Sequence, residues 1–271
     1  MTRQTTMAAT DSDGSPSGSQ SVGRALALLR LVAGKNRTGV GLTQAMEASG
    51  LSKATVHRLL KEMLGSGLLM QGSHRRYHLG QFAYELGMVA SSHFQVREIC
   101  APFLERIAAD TGDTVFLVMR SGNDSFCLDR HSGSFPIKVY TVEVGNRQPL
   151  GVGAGGLALL SFLTGPERSE VLEAIEDRIP SYQGLSRGAL EHAIDQTRQS
   201  GHSLIANHVV QGVTGVGVPV LDRIGRPIVA VSVATISSRL ETDRRERVLQ
   251  TLRQEAKGMR DELLNHLLPT R

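Results

Sequence analysis

Apolar residues recur three and four positions apart from the start of the first folded stretch. Val22, Leu26, Leu29 and Val32 or Ala33 predict a helix opened by Ser21. Thr43 is placed to cap a second helix, with Ala45, Met46 and Ala48 as small packing residues and Gly50 as its left-handed stop. After a Ser-Gly-Leu turn, Ser52 caps a third helix whose stripe is Val56, Leu59 or Leu60, Met63 and Leu64. That stripe turns Lys53, Ala54, His57, Arg58 and Lys61 outward and leaves Thr55 at the edge of the exposed face. Two short apolar runs, 68–70 and 77–79, then flank a polar tip, 71–76, and predict a hairpin.

The rest of the chain mixes both periods. Residues 81–92 read as a helix with Phe82, Leu86 and Val89 on one stripe, and 96–110 as another, with Pro102 near a first turn or a kink. Strand-like runs follow at 114–119, 126–129 and 137–142, then helical segments at 154–163, 166–177 and 187–200. Strands at 213–221 and 227–234 are bridged by the turn-like 222–226. A last helix from Thr242 repeats Val248, Leu252, Ala256, Met259, Leu263 and Leu267, a stripe that faces either the core, the commoner case, or a dimer partner. Strands with helices grouped outside an antiparallel sheet give an α+β fold class.

Composition narrows the function. No apolar run approaches the ~20 residues that span a bilayer, so no membrane partner is expected. Cys100 and Cys127 have neither CxxC nor zinc-ligand spacing and are expected as buried free thiols in a reducing cytoplasm. Residues 1–20 are rich in Ser, Thr and Gly without an apolar segment, which predicts a disordered tail and no signal peptide. Charge is uneven. Residues 21–80 hold nine lysines and arginines against Glu47 and Glu62, a net +7 in a chain whose total is +4. A polyanion is the natural partner of that segment.

The helix-turn-helix with a cationic hairpin therefore points to double-stranded DNA. The exposed first turns of the third helix would enter the major groove while the hairpin covers phosphates. Thr55 and Ala54 can meet a thymine methyl, Arg58 a guanine or a phosphate, and Lys53 mainly phosphate. Arg75 and Arg76 at the hairpin tip are placed for the backbone. Ser52, His57 and Lys61 complete the candidate DNA-binding set.

A competing motif lies downstream. Gly151, Gly153 and Gly156 satisfy GxGxxG, with Glu173 and Glu176 at about the distance of a ribose-binding acid, which would make a nicotinamide-dependent oxidoreductase. That fingerprint needs a buried parallel strand leading into the first glycine, and here the approach is polar and broken by Pro149. Ser203, His208 and Asp195 can be assembled into a triad on paper, without a nucleophile elbow. His202 and His208 are the best metal pair available, and a weak one. No enzyme, cofactor or metal site is expected.

The segments SVGRALALLRLVAG, GLSKATVHRLLKEMLGSGLL and RRYHLG, in this order and spacing, resemble the winged helix-turn-helix of the IclR family of bacterial transcription regulators. The resemblance continues through VREICAPFLERIAADTGDTVFLV, PLGVGAGGLALLSFL and GVTGVGVPVLDRIGRPIVAVSVA, covering about residues 21–265. It implies a DNA-binding domain at 21–80, a linker helix at 81–95 and a GAF-like effector-binding domain at 96–271. It further implies a homo-oligomer, dimer or tetramer, joined through the first and linker helices on a palindromic operator, acting more often as repressor of a catabolic or metabolic operon. The effector would be a small organic acid. The resemblance places Gly153 and Ala154 on the pocket loop, Ile205 where an acidic residue is common, Gly215 where some members have Cys, and Ser232 and Ala234 where some have a Ser pair. Gly156 replaces the lysine usual in the family, and Ala54 stands where serine is frequent. Together Ile205, Gly215 and Ala234 imply a larger, more apolar pocket, suited to an aromatic or longer aliphatic acid.

Overall fold

The computed structural model describes residues 17–91 and 94–267. Most of the expected tail, as well as Ser92, lies outside them. The chain divides into two compact units, one ending at Val89 and the other starting at Ala90.

The first unit packs α1 (Ser17–Gly34), α2 (Leu42–Ser49) and α3 (Lys53–Gly65) against a hairpin of β1 (Leu69–Gln71) and β2 (Tyr77–Leu79). Its core is built from Leu28, Val32, Val40, Ala45, Val56, Leu60, Met63, Leu69 and Tyr77. The buried stripe of α1 is thus not the expected one. Leu28 and Val32 face inward, with Ala25 and Leu29 partly covered, while Val22 (59%) and Leu26 (48%) are exposed. An apolar spacing of four satisfies more than one face, and only the neighbours select which is buried. The cap of α2 also differs. Thr43 lies inside the helix, and the Gln44 side chain reaches back to accept from the Gly41 N–H at 3.2 Å. Gly50 does end α2 in the left-handed region (φ 64°), and Ser52 caps α3 by accepting from the Thr55 N–H at 3.4 Å.

α4 (Gln81–Ser91) begins on this unit, where the Phe82 N–H donates to Gly67 O at 3.1 Å. None of its residues is buried, and Phe82, Tyr84, Leu86 and Val89 are all exposed.

The second unit is one sheet covered by helices on both faces. Among the described residues its sheet has six strands in the order β5-β4-β3-β8-β7-β6, every pairing antiparallel. In chain order these are β3 (Thr114–Ser121), β4 (Asp124–Ser132), β5 (Arg147–Pro149), β6 (Ser203–Ala206), β7 (Val213–Leu221) and β8 (Pro227–Ile236). One face carries Val115, Leu117, Val216, Val218, Val231 and Val233, packed on α5 (Val96–Thr111) and α9 (Thr242–Leu267). The other carries Phe116, Val118, Ala230 and Ala234, packed on α6 (Ala154–Ser161), α7 (Gly165–Ile175) and α8 (Arg187–Ser200). Alternation along β3, β7 and β8 assigns their residues to these two cores, while a register shift in β4 breaks it. Val248, Leu252, Ala256, Met259 and Leu263 of α9 all enter the first core, so that stripe faces inward; the Leu267 side chain lies outside the description.

Three expectations change here. Pro102 sits well inside α5, which removes the first-turn alternative and leaves the kink untouched. Residues 137–142 form no strand: only Val139 is buried among them, so burial does not alternate, and the edge of β4 is taken by Arg147–Pro149. β6 was not anticipated, because four residues carry too little pattern to register.

Candidate DNA-reading face and effector cavity

On α3 the buried stripe holds the helix down and leaves Ser52, Lys53, Ala54, His57, Arg58 and Lys61 exposed. Among the described residues no hydrogen bond or ion pair engages the side chains of Lys53, His57, Arg58 or Lys61, which leaves them open to an outside partner. Thr55 is half-buried, and its hydroxyl lies 3.0 Å from Ser52 Oγ, which leaves chiefly its methyl for a base. At the hairpin tip His74 (φ 56°) and Arg75 (φ 55°) are successive non-glycine residues in the left-handed region, and Arg75 points into solvent. Arg76 does something else. Its guanidinium donates to Thr38 O (2.7 Å), Gly39 O (3.2 Å) and Gln44 Oε1 (3.1 Å). It braces the loop between α1 and α2, which corrects the expectation that both arginines hold phosphate.

The second unit contains a cavity between α6 and the sheet. A β-bulge between Leu117 and Val118 skips Leu128, so that Cys127 and Ser125 face inward beside Phe116 and Val118. Gly153, Ala154, Ile205, Gly215, Ser232 and Ala234, which sequence reasoning placed on this pocket, all line it, and Ile205, Gly215 and Ala234 stand in one row across β6, β7 and β8. The cavity and its open mouth together hold about 590 Å³ of space not filled by protein atoms. No Asp, Glu, Lys or Arg lines it among the described residues.

Small residues here serve helix docking as well as volume. A Cβ on Gly217 would sit 3.0 Å from Ala154 backbone atoms, and one on Gly215 would sit 3.2 Å from Ala154 Cβ. The N-terminus of α6 therefore rests directly on β7. Its first intrahelical bond is Leu157 N–H to Gly153 O (2.8 Å), leaving the N–H groups of Ala154, Gly155 and Gly156 without a helical acceptor. Beside them is Ser232, 6% exposed, whose hydroxyl has no hydrogen-bond partner among the described residues. Free amides and a free hydroxyl in an uncharged cavity can hold a carboxylate. Burial pushes the Cys127 thiol up to about 12, more than Arg130 nearby offsets, so it lines the wall as a neutral group.

Ser125, Gln148, Thr141 and His208 also line the cavity and were missed from sequence. A signal for the face existed in β7, where Gly215, Gly217 and Pro219 alternate with Val216, Val218 and Val220. The paper triad dissolves: Ser203 is buried with its hydroxyl donating to Ala154 O at 2.6 Å. His202 and His208 are engaged separately, with Ser200 O and Gln183 O respectively. The strand before Gly151 is β5, an antiparallel edge strand, so the glycine motif lacks the buried parallel strand that a dinucleotide site needs.

A winged helix-turn-helix joined to an antiparallel-sheet sensor with an enclosed cavity defines a ligand-responsive transcription regulator. The chain belongs to the IclR family. Residues 21–73 match the IclR helix-turn-helix domain, and residues 88–260 match the bacterial transcriptional regulator IclR C-terminal domain. The regulator XynR of Escherichia coli is 31% identical over 224 residues, covering 82% of this chain and 88% of its own. The DNA-binding transcriptional repressor YiaJ, also of Escherichia coli, is 28% identical over 258 residues, covering 92% and 89%. An IclR homologue from Microbacterium hydrocarbonoxydans, solved with 4-hydroxybenzoate, shares the fold with TM-score 0.70 at 23% identity, covering 90% of this chain and 98% of its own.

Proposed function

We propose that this protein represses a catabolic or metabolic operon and is controlled by a small, largely apolar monocarboxylic acid. The observation that carries the effector class is the cavity itself: an α6 N-terminus with free amides and the Ser232 hydroxyl for one carboxylate, largely apolar walls for the remainder, and, among the described residues, no Lys or Arg for a second acid group. An aromatic or longer aliphatic acid suits it better than glyoxylate or pyruvate. The homologue holding 4-hydroxybenzoate favours the aromatic kind, and the relative named a repressor favours repression.

In this reading Lys53 neutralises phosphate, Arg58 and the Thr55 methyl read bases, and Arg75 follows the backbone, while Ser52, Ala54, His57 and Lys61 complete the surface. Residues 21–80 act as the reading head, 81–95 as linker and 96–271 as sensor. Val22 and Leu26 on α1, with Phe82, Tyr84 and Leu86 on α4, favour self-association of the chain through these helices. That would set two heads on a palindromic operator. An acid in the cavity alters DNA affinity only as far as it binds two arrangements of the heads differently.

The test is a footprint on the intergenic DNA beside its own gene, repeated with a panel of acids, alongside calorimetry of the same panel. The expected result is a protected palindrome released by an aromatic or longer aliphatic acid. No protected site, or tight binding of glyoxylate or pyruvate with none by larger acids, overturns the proposal.

A further inference from the structure

The turn between β6 and β7 forms one lip of the cavity. Asn207 (φ 64°) and Gly212 (φ 77°) bracket it in the left-handed region. Asn207 Oδ1 accepts from the Gly212 N–H at 2.8 Å, and the Asn207 N–H donates to Val213 O at 2.9 Å, so the turn is closed on itself. His208, Val209 and Val210 of this turn line the cavity.

His208 also reaches across to the segment before α8, where its Nδ1 lies 2.6 Å from Gln183 O. A carbonyl only accepts, so Nδ1 carries a proton. In the neutral ring Nε2 is then a bare lone pair, an acceptor and not a donor. No hydrogen bond engages Nε2 among the described residues.

We propose that His208 is a specificity-determining residue of this cavity, accepting through Nε2 a hydrogen bond from a hydroxyl group on the bound acid. The preferred effector is therefore a hydroxylated monoacid. This rests on reading the cavity as an acid site. The chemistry excludes the neighbouring classes in turn. In the neutral ring a second carboxylate would meet that lone pair, and no Lys or Arg lines the cavity among the described residues to offset it. An unsubstituted ring would offer Nε2 no donor, and a site built to bond a hydroxyl disfavours an analogue lacking it. A methoxy group would bring a second acceptor against the first. The Gln183 bond fixes the ring orientation, so the preference is set before ligand arrives.

Calorimetry with benzoate, the three hydroxybenzoates, 4-methoxybenzoate and terephthalate tests this on the full-length protein, on His208→Ala and on His208→Gln, whose amide oxygen can replace Nε2. The best hydroxybenzoate is expected to bind wild type at least tenfold more tightly than benzoate or 4-methoxybenzoate, with terephthalate weakest. His208→Ala should bring the hydroxy-to-plain ratio near one, and His208→Gln should restore part of the ratio. A wild type that binds these acids without preferring hydroxyl, or a preference that survives in His208→Ala, overturns the role of His208 alone. Failure of wild type to bind any of these acids or a longer aliphatic one removes the acid reading of the cavity, and this inference with it.

Discussion

The outward face of α3 and the wall of the cavity solve recognition in opposite ways. α3 offers Lys53, Arg58 and Lys61 exposed and, among the described residues, without internal partners, whereas the cavity is lined by amides, hydroxyls, a thiol, an imidazole and hydrocarbon. The exposed cations stay hydrated and attract a polyanion over roughly a Debye length of ~8 Å, a force that gives rate and affinity but little selectivity. A buried charge carries a desolvation cost and needs close partners. Asp113 shows the requirement: nearly buried, it is held by Arg239 (2.9 Å), Arg244 (2.6 Å) and the Thr235 hydroxyl (2.8 Å). The cavity wall has no Asp, Glu, Lys or Arg among the described residues and so needs no such pairing. Fixed dipoles and shape serve it instead, and the price is a narrower choice of ligand.

Separating the two regions by mutation gives the largest effect first. Replacing Lys53, Arg58 and Lys61 together with Ala should weaken operator binding by about a hundredfold or more and flatten the salt dependence by ~0.9 per lost phosphate contact. Acid binding by calorimetry should not change; if it does, the two regions are not independent.

The converse substitution is Gly217→Ala, which drives a methyl to 3.0 Å from the Ala154 backbone. It should destabilise the sensor unit by ~1–3 kcal/mol and impair acid binding, with the melting of an isolated 17–91 fragment as the control for the reading head.

Alkaline pH gives a smaller asymmetry. Burial raises the Cys100 and Cys127 thiols from 9.0 to about 12. Below 9 both folded and unfolded chains hold these protons. Between 9 and 12 only the unfolded chain releases them, so stability falls as pH rises, by at most ~1.4 kcal/mol per thiol per unit. Urea midpoints of wild type should fall more steeply over this range than those of Cys100→Ala/Cys127→Ala. Equal slopes would place the thiols in contact with water.

The smallest contrast divides neighbours. Arg75→Ala should weaken DNA binding by up to about tenfold and leave melting unchanged, whereas Arg76→Ala should cost ~1 kcal/mol of stability in the reading head through its lost hydrogen bonds. Matching phenotypes would restore the pair to one role.

Local chemistry made much of this legible. Ser52 before an apolar stripe announces a helix start wherever the chain goes, and Gly50 a helix stop, because caps and left-handed turns depend on residues within one turn. β7 and α8 have the bounds expected, since their patterns are long and regular. Long-range choices were not legible. Arg76 reads like Arg75 until the loop 37 and 38 residues earlier comes within its reach. Ile205, Gly215 and Ala234 read as a widened pocket, yet Gly215 also lets Ala154 approach the sheet. His208 stood out only for a paper triad and a weak metal pair, and nothing local marks it as a cavity wall.

By itself the sequence determined the two-part plan, the cationic head, the exposed face of α3 and the glycine-rich start of α6, because periodicity, capping and net charge are local or additive properties. Tertiary structure alone decided which stripe of α1 is buried, which strand takes the edge of β4, how the bulge turns Cys127 and Ser125 inward, and where His208 finds Gln183. Each of these depends on what lies across the fold. A residue's spacing along the chain limits its neighbours, and packing chooses among them.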